Sequence, residues 1–406
     1  GVACTIDGCD GAGGCLSKPN PDCVSPQCED VPAGTACDDA ADDTVADMCI
    51  SGICRGFTLA QHQVEPAFGN LSYDTVGEAE GEWSVTAHTD GSNFATNGIV
   101  NITDTDLAYV YDGTAAAGGA IFKAQWGRYI VDTTGRLFEF DGVNWLDDSP
   151  LAAALSASGT GQLYGVWATE SSGEPTVWVV GNDASNAYVR RCTADGCDVQ
   201  KIVLGGNATP LPRAVAGHDV CGPGGCKPFL AAGVDEQNWN NYVSHTFENP
   251  NGIAPSWNQT FDDPGASQDQ TRAMMAYGDG RYLIVGDDGY MRYRDLTGWQ
   301  NAVNTAPNLA ARTFTGVWAS GDLILVSATI NGPNWNTRTL ELWTIPKSAD
   351  PTGWNSWTIH TLGTFYDTDT SLNAIAGSDT GEIRVVGTGA GQWNAYRSGL
   401  VYIRTP

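Results

Sequence analysis

The chain has 406 residues and a formal net charge of −27, from 47 acidic against 20 basic residues. That balance argues against nucleic acid and anionic membranes as partners, and no apolar run is long enough to span a membrane. Only 17% of residues are charged while 50 are glycine, a composition of turns and buried strands.

Eight of the twelve cysteines lie in the first 54 residues: Cys4, Cys9, Cys15, Cys23, Cys28, Cys37, Cys49 and Cys54. The even count, the Pro/Gly-rich spacing and the scarcity of large apolar residues predict a small disulfide framework over residues 1–56. Eight cysteines allow on the order of a hundred pairings, so none is assigned. A zinc site fits less well, because the segment has no C-x2-C and no histidine. Its acidic loop, Asp38, Asp39, Asp42 and Asp43 with Asp47, offers the oxygen ligands that Ca²⁺ prefers. The spacing is not that of an EF-hand, and a solvated acidic face is the competing reading. No other cofactor is implied.

From residue 57 onward the chain repeats itself. Short strands of small residues recur as FKAQ at Phe122–Gln125, GVWA at Gly165–Ala168, AVAG at Ala214–Gly217, AMMA at Ala273–Ala276, GVWA at Gly316–Ala319 and AIAG at Ala374–Gly377. Their markers Ala124, Ala168, Ala216, Ala276, Ala319 and Ala376 stand 44, 48, 60, 43 and 57 residues apart. Each is followed by an apolar run, such as Val177–Val180 or Leu323–Val326. Continuous apolar runs of this length suit strands covered on both faces. Third strands end in turns carrying a tryptophan, as in FDGVNW ending at Trp145 and RDLTGW ending at Trp299.

Four strands in each unit of roughly 40–50 residues is the period of a β-propeller. A weaker unit precedes the six, with Ser84–Ala87, Gly98–Ile102 and Leu107–Tyr111 as its first three strands. The expected fold is therefore all-β: a seven-bladed propeller over residues 57–406, alternatively six-bladed, behind the cysteine-rich head. The last blade ends with three strands, so the stretch Phe57–Phe68 or nearby sequence is expected to supply the fourth and close the ring.

The remaining cysteines bracket four-residue turns, Cys192 with Cys197 and Cys221 with Cys226. Residues flanking such hairpin turns stand at the separation a disulfide requires. All twelve cysteines are thus expected to be oxidised, which points to a secreted or cell-surface protein whose chain begins after processing.

The GVWA and VWVVG repeats and the FDGVNW turn resemble those of secreted bacterial β-propellers, over roughly residues 70–406. The head resembles the short Cys-rich modules of large bacterial surface proteins, over roughly residues 1–56. The sialidase S-x-D-x-G-x-x-W box and the GH…WD pattern of WD40 proteins are missing from the sequence. Both resemblances imply location and architecture, since propellers host many activities.

No H-E-x-x-H, P-loop or G-x-S-x-G motif occurs. His218 reads as a turn residue. Arg213 and Arg272 stand just before two inner strands, and Asn373 at the matching place in a third. Convergence at the ring entrance would let them hold an anion; pairing with nearby acids is the plainer expectation. Three blades carry Trp-Asn between their second and third strands: Trp239-Asn240, Trp335-Asn336 and Trp393-Asn394. They are expected on one face of the disc, where exposed indoles mark a binding surface. The expected function is that of a non-enzymatic extracellular structural or adhesive protein, one that self-associates or binds surface proteins or glycans. A carbohydrate-binding lectin comes second and a secreted hydrolase or lyase third.

Overall fold

The computed structural model describes residues 5–9, 15–19, 28–50, 52–62, 70–90, 96–102, 107–112, 121–159, 161–170, 174–183, 186–202, 209–222, 225–238, 241–250, 257–262, 271–278, 280–302, 309–332, 336–378, 381–390 and 397–404. Seven antiparallel sheets follow one another around a ring, making a seven-bladed propeller. The inner strands, from blade one to blade seven, are Asn70–Ala79, Phe122–Trp126, Gln162–Thr169, Thr209–Gly222, Thr271–Gly278, Arg312–Ser320 and Ser371–Gly377. Each packs beside the next, and that of blade seven packs beside that of blade one.

The apolar second strands behave as their composition dictates. In blade two Tyr129–Asp132 is buried at all four positions, and in blade six Leu323–Asn331 is buried over its first seven residues. Neighbouring blades cover both faces, so nothing in these strands needs to be polar. The third-to-fourth turns close as expected, with Phe140 opposite Trp145 and Arg294 opposite Trp299. A short helix, Pro150–Ala157, lies between blades two and three. It is capped by Ser149 and buries Leu151, Ala152 and Leu155.

Blade one corrects the sequence reading. Ser84–Ala87, Gly98–Ile102 and Leu107–Tyr111 fall in its second, third and fourth strands, Glu82–Asp90, Thr96–Ile102 and Leu107–Asp112. The first strand is Asn70–Ala79. Its sequence, NLSYDTVGEA, lacks the apolar run and the small-residue signature of the other inner strands.

The ring closes where the sequence requires it. Ile53–His62 pairs antiparallel with the last strand, Arg397–Arg404, setting Tyr402 opposite Leu59 and Val401 opposite Ala60. Thr44–Ile50 then adds a fifth strand, so the sheet of blade seven continues across residues 56 and 57 into the head. Two disulfides, Cys28–Cys49 and Cys37–Cys54, fasten the preceding loop to this hairpin. Met48 and Phe57 are fully buried among Leu325, Leu342, Leu400 and Tyr402. Gly34 docks on blade six: its φ is +84°, and a Cβ there would stand 2.8 Å from Thr344 Oγ1, so only glycine fits. Thr344 Oγ1 also meets the buried His360 Nε2 at 3.2 Å.

Cys192–Cys197 staples the third hairpin of blade three, and its ladder sets the two residues opposite each other. Cys221 is disulfide-bonded and stands opposite Cys226 across the tip of the long hairpin of blade four. Within the head, Thr5–Cys9 pairs with Cys15–Pro19, setting Cys9 opposite Cys15. The side chains of Cys4, Cys9, Cys15 and Cys23 lie outside the described residues. Among those described, no cysteine is free, and no helix is long and apolar enough to cross a membrane.

Candidate functional site

Each inner strand breaks its ladder at an equivalent place, and that of blade five breaks a second time between Ala276 and Gly278. In blade one the register jumps from Tyr73 to Thr75, leaving Asp74 out of the ladder. The same break leaves out Lys123 in blade two, Tyr164 in blade three and Arg213 in blade four. It leaves out Arg272, Thr315 and Asn373 in blades five to seven. An unpaired residue of this kind is a β-bulge, a device that bends the strand and re-aims one side chain. All seven line one cavity of about 430 Å³ on the ring axis, so each blade contributes one re-aimed side chain to a common site. That volume is within the range of small-ligand pockets.

The tier of residues after the bulges is uniformly small: Thr75, Ala124, Gly165, Ala214, Ala273, Gly316 and Ala374. Close approach of neighbouring inner strands requires it. A Cβ on Gly165 would stand 3.1 Å from the Ala214 Cα, and one on Gly316 would stand 3.0 Å from the Ile375 N. Two residues further on come Trp126, Trp167 and Trp318. The rings of Trp126 and Trp318, from opposite sides of the propeller, meet across the axis at 5.9 Å between centroids. Trp167 joins Trp126 at 6.4 Å. Trp126 and Trp318 also line the cavity, giving it a half-buried indole floor below a polar rim.

The rim is held from behind. Arg213 Nε donates to the fully buried Asp235 at 3.0 Å, and Asp235 also accepts from Ser244 Oγ and the Thr271 N–H. Burial pushes the Asp235 carboxyl up, against the pull of Arg213 and these donors. Arg272 forks onto Asp287 through Nε and Nη2, at 3.0 and 2.9 Å. Asn373 Nδ2 donates to the Tyr73 carbonyl of blade one at 2.7 Å. Tyr164 OH is hydrogen-bonded to Gln162, and burial pushes its phenol up, so it stays protonated at neutral pH. Arg213 stands 5.9 Å above the Tyr164 ring.

Lys123 is the exception. Among the described residues no hydrogen bond or ion pair holds its Nζ, although the residue is solvent-accessible. Desolvation by the surrounding strands holds its ammonium below the ordinary lysine value; Asp74 opposes this, while Arg213 and Arg272 add to it. The three cations therefore sense one another across the cavity.

Convergence of Arg213, Arg272 and Asn373 was the second of two expectations for these residues, and the structure brings them together in one cavity. It also gives both arginines the acid partners that were the plainer expectation. Asp74, Lys123, Tyr164 and Thr315 were not picked out. The one signal that finds them is their place immediately before the small residue of each inner strand.

The acidic loop is only partly convergent. One oxygen each from Asp38, Asp39 and Asp47 falls within 4.8 Å of the others, while Asp42 and Asp43 are exposed and outside that group. Much of this convergence is structural. Asp39 accepts from the Ala41 and Gly56 N–H groups and from Thr44 Oγ1. Burial raises its carboxyl, but these bonds together hold it below the usual value. The Trp-Asn dipeptides fall mostly outside the described residues: Trp239, Asn240, Trp335, Trp393 and Asn394 do, while Asn336 is described and exposed. The flanking pairs Asn238–Asn241, Asn331–Arg338 and Ala390–Arg397 put all three dipeptides between second and third strands.

No protein-family model and no curated protein matches the chain. Among solved structures, YCF48 bound to D1 peptide is similar at 12% identity over 86% of this chain and 95% of its own, with a TM-score of 0.46. YCF48 from Cyanidioschyzon merolae is 11% identical over 85% and 98%, also with a TM-score of 0.46. The lectin of Aleuria aurantia, a six-bladed propeller that recognises fucose, is 11% identical over 81% and 90%, with a TM-score of 0.40. At these values the likeness concerns the fold alone.

Proposed function

We propose that the protein is a non-enzymatic, extracellular adhesive propeller that holds a group of a surface glycan in its axial site. The bulged ring carries this reading: seven blades spend one side chain each on a common cavity that packing alone does not require. Two of the three cations are arginines, which remain charged and do not relay protons, and both are braced by acids, so the rim is suited to holding rather than to transferring. The oxidised cysteines support an extracellular setting. Retention of the purified protein on immobilised extracellular polysaccharide is the test. The wild type should be retained and Arg272→Gln should elute early. Equal retention of the two would contradict the reading.

A further inference from the structure

The axial site has a chemistry more specific than adhesion. Three kinds of group surround it. The rim carries N–H donors with unshared edges: among the described residues, the Asp235 pair uses only Nε of Arg213, and the Asp287 pair leaves Nη1 of Arg272 unused. Lys123 Nζ adds an ammonium that no hydrogen bond or ion pair among the described residues holds. Charged donors in a recessed site favour an anion that can accept several bonds at once. The same rim carries acceptors, namely the hydroxyl oxygens of Tyr164 and Thr315 and the second lone pair of Asn373 Oδ1, whose first accepts from Ser371 Oγ. Below lie the flat apolar faces of Trp126 and Trp318.

We propose that this cavity takes the carboxylate of an acidic sugar, a uronate, with its hydroxyls on the acceptors and its ring over the indoles. The proposal rests on the glycan-adhesion reading and names its ligand. A simple carboxylate would use the cations and leave the acceptors and the indoles idle. A neutral sugar would leave the three rim cations without an anion. An acidic peptide would satisfy the cations but has no array of hydroxyls for the acceptors. Inorganic sulfate would likewise ignore the floor. The uronate alone engages all three groups, and the cavity volume accommodates a small ligand of this kind.

Lys123 is the residue to test, because removing it breaks no structural bond. Calorimetric titrations would use glucuronate, glucose, sulfate and a tetraglutamate peptide against the wild type and Lys123→Gln. The proposal expects saturable glucuronate binding, at least tenfold weaker binding of the other three, and a tenfold or greater loss of glucuronate affinity in Lys123→Gln. The expected affinity also falls as salt rises, since charged contacts at a rim are screened. Glucose binding as tightly as glucuronate, or an unchanged Lys123→Gln, would overturn the carboxylate assignment and leave adhesion standing. Tighter tetraglutamate binding would replace the sugar by a peptide partner. Absence of all binding, with polysaccharide retention intact, would move adhesion off the axis and overturn this proposal alone.

Discussion

Two adjacent tiers of the same seven strands obey different rules. In the small tier every blade has Gly, Ala or Thr, because a larger side chain would strike the backbone of the next inner strand. One residue earlier, the bulged tier holds Asp, Lys, Tyr, Arg, Arg, Thr and Asn, with no two neighbouring blades alike except four and five. Where packing sets the residue, the repeats agree. Where the bulge turns the side chain toward the axis, packing no longer constrains it, and the repeats diverge. In a repeat protein the divergent tier is the place to look for a site, provided the fold gathers it in one cavity, as it does here.

Substitutions in the two tiers should therefore fail in opposite ways. The largest effect is expected from Gly165→Val in the small tier. Its branches would meet Val180 Cγ2 as well as the next inner strand, and the overpacking should cost about 3 kcal/mol. A denaturant midpoint near that of the wild type would show that the strands can separate, and the distinction between the tiers would weaken.

Arg213→Gln tests the overlap between the tiers, since this rim residue also braces the core. It leaves the buried Asp235 carboxylate without its cation, for a loss of about 2 kcal/mol at neutral pH. The carboxyl is already pushed up by burial and would rise further in the variant. The folded state then holds the proton more tightly than the unfolded state, so the variant's deficit should shrink as pH falls into the carboxylate range. A pH-independent deficit would mean that the guanidinium acts by packing alone.

A smaller effect concerns the head. Burial holds His360 below its ordinary value of 6.5, against a hydrogen bond to the Gly34 backbone that favours its charge. Its neutral form is the one built into the docking of the head on blade six. The stability it contributes is present above 6.5 and is lost as pH falls from there through the depressed folded value. Amide exchange at Gly34, corrected for intrinsic rates, should therefore be faster at pH 5 than at pH 7.5, and His360→Gln should remove the difference. Equal protection at both pH values would separate the docking from the histidine.

The propeller was legible because its packing repeats. Buried second strands advertise themselves as apolar runs such as Val177–Val180, and the missing outer strand was implied by a last blade with three. The first inner strand escaped notice because Asp74, Thr75 and Glu78 give it a polar look that only a ring of neighbours makes sense of. The bulges escaped for a related reason. A bulge is a property of the ladder between two strands, and Asp74, Lys123, Tyr164 and Thr315 share no side-chain chemistry that would mark them singly. Arg213, Arg272 and Asn373 were found from position alone, which is the signal that extends to the other four.

The central claim is that the bulged tier, apart from the core-bracing Arg213, binds and does not hold the fold together. Thermal midpoints of the wild type and Lys123→Gln, each with and without saturating glucuronate, test it in one experiment. Lys123 is exposed, and no hydrogen bond or ion pair among the described residues holds it, so the free variant should melt close to the wild type. Glucuronate should raise the wild-type midpoint, because a ligand that binds only the folded state stabilises it, and should leave the variant where it was. A variant that melts well below the wild type, or one that glucuronate stabilises as strongly, would contradict the account.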